Sequence, residues 1–264
     1  MIEKNNSIWV GGVNKINADN GENQNIKNTL ETVGYISSIL LALVTTVTFF
    51  IAILTPPISG PLSTAASTAY PYTDIVSRFP RDYYWMYPAM LLALVYIVYM
   101  VCVNQYASKD RKIFSHTALL FACLSAGILF ADYFVQVSII QPSLLNGEYD
   151  AIALFTQYNP HGLFIALEEA GYLIMAIAIL FLTPVFAGSG KIRAALRWTA
   201  VLNFIFIMLS LTVLSIIYGV SREYRFEIVV IAFDYIALIL LGLLSAQLFR
   251  RKQGDGSFAS LREE

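Results

Sequence analysis

Charged residues are scarce in this 264-residue chain: only 13% are Asp, Glu, Lys or Arg, whereas 57% are hydrophobic. The mean hydropathy of +0.63 lies above the range of ordinary water-soluble domains. The net charge of -1 and the lack of a dense basic stripe exclude the electrostatic surface that nucleic-acid binding requires. We therefore expect no nucleic-acid partner, and the lipid bilayer becomes the first partner to consider.

Cysteine and histidine are also rare, with two of each. Cys102 and Cys123 both fall within apolar segments, which excludes a disulfide framework or a CxxC metal site and predicts that both pack against neighbours. The motifs G-x-S-x-G, H-E-x-x-H, Walker A and the Rossmann fingerprint are absent. The sequence therefore indicates no known cofactor.

Six apolar segments are long enough, at about 20 residues each, to cross a bilayer. Apart from Arg197 near the start of the fifth, they contain no Lys or Arg. Because backbone polar groups cannot stay unpaired in hydrocarbon, such segments must be helical. The sequence predicts an all-α, polytopic membrane bundle whose six transmembrane helices are Val33–Leu54, Tyr87–Tyr106, Phe114–Ile140, Gly162–Phe186, Leu196–Tyr218 and Phe226–Phe249.

The distribution of Lys and Arg predicts how the helices are oriented, since cytoplasmic loops carry the excess of cations. With both termini in the cytoplasm, 13 of the 17 cations lie in the inner segments and only 4 in the outer ones. The inner cations are Lys4, Lys15, Lys27, Lys109, Arg111, Lys112, Lys191, Arg193, Arg197, Arg250, Arg251, Lys252 and Arg262. The outer cations are Arg78, Arg81, Arg222 and Arg225.

This topology divides the chain into a polar, flexible cytoplasmic tail (1–32), a membrane domain (33–249) and a second cytoplasmic tail (250–264). Two long outer loops, 55–86 and 141–161, separate the spans. The segment Tyr149–Gln157 is short and amphipathic enough to lie on the membrane surface. Two interpretations stay open: the loops form a structured cap, or they are solvated connectors.

Four acidic residues lie inside the predicted spans: Asp132, Glu168, Glu169 and Asp234. A carboxylate in mid-membrane costs about 2.5–3.5 kcal/mol on insertion scales, so such residues usually have a function. A helical rise of about 1.5 Å per residue puts three of these acids, on three helices, roughly 9–12 Å below the outer ends. We therefore predict a shared, outward-facing acidic pocket.

Neighbouring polar residues complete the predicted pocket. The ligand-binding candidates beside the four acids are Tyr172, Gln136, Tyr133 and Tyr235, and the entrance candidates are Glu227, Arg78, Arg81, Arg222 and Arg225. Three states of the acids stay open: they are protonated, they bind a cation, or an outer arginine folds down to pair with them. A structural alternative is that neutral acids hydrogen-bond between helices.

A mixed nitrogen and oxygen metal site formed by His161, Glu168 and Asp132 is a weaker prediction. Glu168 is seven positions after His161, which exceeds the spacing of compact helical ligand pairs. Two distant histidines also exclude the three-histidine zinc site of the alkaline-ceramidase type of membrane hydrolase.

The segment from Ala131-Asp132-Tyr133-Phe134 to Leu144-Leu145, with Tyr158-Asn159-Pro160-His161-Gly162 and Glu168-Glu169-Ala170-Gly171-Tyr172, resembles uncharacterised prokaryotic six-span integral membrane proteins. The resemblance mainly covers residues 131–172. It implies a bacterial or archaeal cell inner membrane, and it implies no activity.

Three functions are compatible with the sequence. The first is binding or transport of a proton, a metal ion or a small cationic molecule, which acidic walls at low dielectric would attract. The second is an intramembrane acid/base enzyme that acts on a lipid or sterol-like, small hydrophobic ligand. The third is a non-catalytic membrane scaffold.

Overall fold

A computed structural model describes residues 6–55, 70–150, 152–222 and 224–260 of the chain. Eight α-helices and several short helical turns form these parts, and no strand occurs within them. The helices are α1 (Asn6–Leu54), α2 (Met86–Tyr106), α3 (Lys112–Val135), α4 (Gln141–Asn146), α5 (Ile152–Phe155), α6 (Leu163–Leu180), α7 (Lys191–Tyr218) and α8 (Tyr224–Ser260).

Six of these helices, α1, α2, α3, α6, α7 and α8, are long and apolar enough to cross a membrane. The predicted all-α architecture with six candidate spans is therefore confirmed. The third span is longer than predicted, because a π-helical turn at Gln136–Ile140 joins α3 to α4 and extends the helical segment to Asn146. The sixth span, Tyr224–Arg250, agrees with its predicted bounds to within two residues, and α8 continues past it to Ser260.

The predicted tails are helical where the structure describes them. Helix α1 begins at Asn6, so most of the segment predicted as a flexible tail over 1–32 continues into the first span as one helix. The predicted loop 55–86 is described only from Tyr70 onwards. There it forms short 3₁₀ turns at Thr73–Arg78 and Arg81–Tyr83, and Pro56, Pro57 and Pro61 lie outside the described residues.

Five helices form a closed ring in which α1, α2, α3, α6 and α8 follow one another, and α7 packs outside it against α8 and α6. Small residues allow the closest approach, between α1 and α8. A Cβ atom on Gly242 would lie 2.6 Å from the Ser38 carbonyl oxygen and 2.9 Å from the Ala42 nitrogen. Without side-chain bulk the two backbones meet directly, as in many membrane helix pairs.

Large apolar side chains cover the outside of the bundle, most clearly on the peripheral helix α7. Trp198 is 62% exposed and Ile216 is 79% exposed. In water such a surface would drive association, but in a bilayer it contacts lipid chains without cost. The chain therefore has the architecture of a multi-pass membrane protein.

The two ends of the bundle are formed by different connections between the helices. At one end, here called the basic end, the connections 107–111 and 181–190 lie together: Arg111 donates a 2.6 Å hydrogen bond to the Ala187 carbonyl, and Arg193 donates one of 2.9 Å to the Tyr106 hydroxyl. At the other, the loop-rich end, lie the connections 70–85, 147–162 and 219–222. The candidate site lies towards the loop-rich end.

Candidate functional site

A chain of buried hydroxyl groups connects three helices to one carboxylate in the interior of the bundle. The Tyr133 hydroxyl on α3 donates a 2.7 Å hydrogen bond to Glu168 Oε1 on α6. It also lies 2.8 Å from the Tyr172 hydroxyl, which in turn lies 3.0 Å from the Tyr235 hydroxyl on α8. All four side chains are almost fully buried.

The direction of this chain follows from proton counting, because a phenol carries a single proton. Tyr133 gives its proton to Glu168, so its oxygen must accept from Tyr172. Tyr172 must then accept from Tyr235. With Glu168 ionised at Oε1, every hydroxyl in the chain points towards the same carboxylate.

The second oxygen of Glu168 faces another acid. The carboxyl groups of Glu168 and Glu227, which lies in the first turn of α8, meet directly. As two carboxylates they have no proton to share, and Oε2 of each residue then lacks a hydrogen-bond donor among the described residues. A single proton between the two groups would satisfy both oxygens and relieve their repulsion.

Asp132 extends this pair into an acid cluster, defined here as Asp132, Glu168 and Glu227. Asp132 is 4% exposed and interacts electrostatically with both glutamates. Its Oδ2 is buried and has no hydrogen-bond partner within the described part of the chain. Glu227, predicted as an entrance residue, is thus a buried member of the cluster itself.

The fourth predicted acid of this region, Glu169, is compensated by an arginine. Arg222, from the connection between α7 and α8, lies 2.5 Å from Glu169 Oε2, and the Arg222 guanidinium also lies over the Phe226 ring at 5.6 Å. The side chain of Glu169 is 12% exposed and that of Arg222 35%. Of the three states that the sequence left open, pairing with a loop arginine therefore applies to Glu169.

Asp234 lies apart from the acid cluster. It accepts a 2.7 Å hydrogen bond from Asn203 Nδ2 on α7, and both residues are buried. No hydrogen bond joins Asp234 to Glu168 in the parts of the chain that the structure describes. Asp234 and Glu168 therefore have different hydrogen-bond partners, and a single pocket that contains all the intramembrane acids stays a prediction.

A layer of hydrogen-bonded residues, most of them buried, covers the loop-rich end beside the acid cluster. Asp82 is fully buried and accepts hydrogen bonds from the Tyr158 hydroxyl at 2.8 Å and from Arg81 at 2.8 Å. Gln157 donates to the Asp82 carbonyl at 3.2 Å, and its own carbonyl accepts from Tyr224 at 3.1 Å. The residues that form this cap are Arg81, Asp82, Gln136, Gln157, Tyr158 and Tyr224.

The cap decides between the two interpretations of the outer loops. Gln136, predicted as a ligand, instead donates a 2.5 Å hydrogen bond to the Phe155 carbonyl and so anchors the connection 147–162. Thr156, Gln157 and Tyr158 are fully buried, so this segment packs into the protein rather than lying only on the membrane surface. Burial, together with the neighbouring Tyr83 and Asp82, raises the pKa of Tyr158.

The predicted metal site is not assembled. Among the described residues, no three His, Cys, Asp or Glu side chains are placed to hold a metal ion. His161 is exposed, whereas Glu168 and Asp132 are buried, because His161 precedes α6 in the surface connection.

The other two entrance candidates lie at the surface of the loop-rich end. Arg225 lies over the Tyr218 ring at 4.3 Å, and Arg78 is close enough to Tyr158 to interact electrostatically with its phenol.

The fold and the site thus define a multi-pass, all-α membrane architecture with buried acids. Comparison with protein-family models, with curated proteins and with solved structures found no significant match.

Proposed function

We propose that this protein is an integral cell-membrane protein that takes up a proton at the Glu168–Glu227 pair and transports it through the membrane domain. The supporting observation is the direct carboxyl-to-carboxyl contact between α6 and α8 inside an apolar bundle. Two such groups at low dielectric are stable when they share one proton, and they titrate as a pair. A pair of this kind is a site for binding and releasing protons.

The hydrogen-bonded tyrosines support proton transfer rather than binding of a larger cation. Tyr235, Tyr172 and Tyr133 form a continuous donor–acceptor chain that ends on Glu168. Each hydroxyl can pass a proton on by donating its own and accepting another. The lack of a three-ligand metal arrangement in the described residues also favours the proton among the cations considered.

The proposal includes an orientation. The excess of cations at the basic end favours placing that end, and both termini, in the cytoplasm. The acid cluster and its cap would then lie in the outer half of the membrane. The resemblance over residues 131–172 favours a bacterial or archaeal inner membrane.

Proton flux into proteoliposomes tests the function. The purified protein is reconstituted with a pH-sensitive dye inside the vesicles, and a potassium diffusion potential drives proton entry. We expect wild-type flux well above that of empty vesicles, and at least a tenfold loss of the added flux in Glu168→Gln and Glu227→Gln. The matched control is Glu148→Gln, an exposed acid of the loop-rich end, which should keep wild-type flux.

Two results would contradict the proposal. Wild-type flux equal to that of empty vesicles would exclude proton transport as the function of this protein. Wild-type flux that Glu168→Gln and Glu227→Gln leave intact would make the pair a structural contact between α6 and α8. If gel filtration shows that neither variant folds, the proton flux of Tyr172→Phe is measured instead. This change breaks the hydroxyl chain without altering a carboxylate.

A further inference from the structure

The contact between α7 and α8 contains a second buried acid that the proposed transport site does not use. Asp234 Oδ1 accepts a 2.7 Å hydrogen bond from Asn203 Nδ2. Asp234 is 0% exposed and Asn203 is 4% exposed, so neither side chain has access to bulk solvent. This pair is a buried polar contact between the peripheral helix α7 and α8 of the ring.

One hydrogen bond leaves the pair incomplete. Asp234 Oδ2 and Asn203 Oδ1 are both buried and have no hydrogen-bond partner among the described residues. Both atoms are acceptors when Asp234 is ionised, so neither can satisfy the other. An unsatisfied buried acceptor loses its hydrogen bonds to water without replacement, so the ionised form is unfavourable in this position.

A single proton removes both deficits. On Asp234 Oδ2 it would be donated to Asn203 Oδ1, while Asn203 Nδ2 continues to donate to Asp234 Oδ1. A carboxylic acid and a primary amide are complementary in this way, because each can offer the other one donor and one acceptor. We propose that Asp234 and Asn203 form a second proton-binding site, in which a neutral acid is held by an amide through two hydrogen bonds.

The groups around Asp234 agree with a neutral acid. The Tyr96 phenol from α2 and the neighbouring Tyr235 from α8 both interact with it electrostatically. Neither is a cation, and no ion pair to Asp234 is present in the described parts of the chain. A proton is therefore the neutralising partner that the surroundings offer.

The second site is next to the first without being part of it. Tyr235 interacts electrostatically with both Glu168 and Asp234, and it is the last hydroxyl of the tyrosine chain. The acid–amide site nevertheless depends only on Asp234 and Asn203. It would exist even if the Glu168–Glu227 pair transported nothing.

Infrared spectroscopy of the full chain in lipid vesicles tests the site directly. Aspartate labelled with ¹³C at the side-chain carboxyl shifts only aspartate bands, and a protonated acid absorbs at higher frequency than a carboxylate. We expect a protonated-aspartate band near neutral pH that Asp234→Asn abolishes. Asp132→Asn and Glu168→Gln serve as controls and should keep this band.

A substitution of the amide partner, Asn203, provides the second part of the test. In Asn203→Leu the same band should persist but move to higher frequency, because the acid has lost its hydrogen-bonded carbonyl partner. Asp234→Asn should fold like the wild type, since an amide also offers one donor and one acceptor to Asn203.

Two infrared results would overturn the proposal. One is the absence of a band sensitive to Asp234→Asn, from mildly acidic to mildly alkaline pH. The other is a band that Asn203→Leu leaves unmoved. Neither result depends on the flux measurements, so this site and the transport function can fail separately.

Discussion

The Tyr133 hydroxyl lies 2.7 Å from Glu168 Oε1, and this bond joins α3 to α6 in the buried interior of the bundle. The Trp85 ring packs edge-on against Tyr133, with centroids 5.0 Å apart. The Tyr133 phenol is therefore held between an aromatic neighbour and a carboxylate. Its position sets the direction of the whole hydroxyl chain, because Tyr172 and Tyr235 must align behind it.

Removing this hydroxyl should destabilise the protein by about 1–3 kcal/mol. In Tyr133→Phe, Glu168 Oε1 loses its donor and the Tyr172 hydroxyl loses its acceptor, and both stay buried. The free energy of unfolding in mixed detergent micelles measures the loss. Tyr149→Phe is the matched control, because Tyr149 is 48% exposed. This substitution should change the free energy of unfolding by no more than about 0.5 kcal/mol. Equal effects of the two variants would show that the Tyr133 bond adds nothing to stability.

The Glu169–Arg222 pair should contribute much less than its 2.5 Å distance suggests. Arg222 is 35% exposed, so solvent screens the pair, and exposed pairs typically contribute about 0.2–1 kcal/mol. A double-mutant cycle of Glu169→Gln and Arg222→Gln measures the coupling free energy. We expect a value within that range that falls as salt is added. A larger, salt-insensitive coupling would mean that the pair behaves as a buried one.

The architecture follows from the sequence because bilayer insertion depends on simple quantities. Apolar length and backbone hydrogen bonding identify six spans without any knowledge of packing, and the described part of the chain has six such helices. The ends are harder to predict. The helical extension over Gln141–Asn146 and the helical start at Asn6 arise in polar or mixed segments, where hydropathy carries little signal.

The site is harder to derive, because spacing along one helix does not identify its neighbours. Glu227 and Asp234 are seven residues apart on one face of α8, which predicts an entrance at Glu227 that leads inward to Asp234. They are also roughly 10 Å apart along the helix axis. Because α8 contacts both α6 and α7, Glu227 meets Glu168 while Asp234 meets Asn203.

Asp82 was missed for a related reason. It lies in the run Asp82-Tyr83-Tyr84-Trp85, whose aromatic residues predict an interfacial segment and give no sign that the acid is buried. Its burial depends on Tyr158 and Gln157, which are more than 70 positions away in the chain.

The proposed orientation predicts a sharp difference in labelling between the two ends. In a background carrying Cys102→Ala and Cys123→Ala, single cysteines replace Glu148 at the loop-rich end or Asp110 at the basic end; both positions are exposed. A membrane-impermeant maleimide should label position 148 in intact cells, and position 110 only after permeabilisation. The reverse pattern would place both termini outside and the acid cluster in the inner half of the membrane.

The contact between α1 and α8 should be the part of the bundle that is least tolerant of added volume. In Gly242→Ala the new methyl group would meet backbone atoms of Ser38 and Ala42 at 2.6 and 2.9 Å, and backbone cannot rotate away as a side chain can. Overpacking of this kind costs about 1–3 kcal/mol, which unfolding in mixed micelles would detect. Gly127→Ala is the matched control, since its Cβ would meet nothing within 4 Å and alanine favours a helix over glycine. Because both changes add the same atom to a helix, a similar loss of stability in the two variants would mean that close approach of α1 and α8 is not what limits residue 242 to glycine.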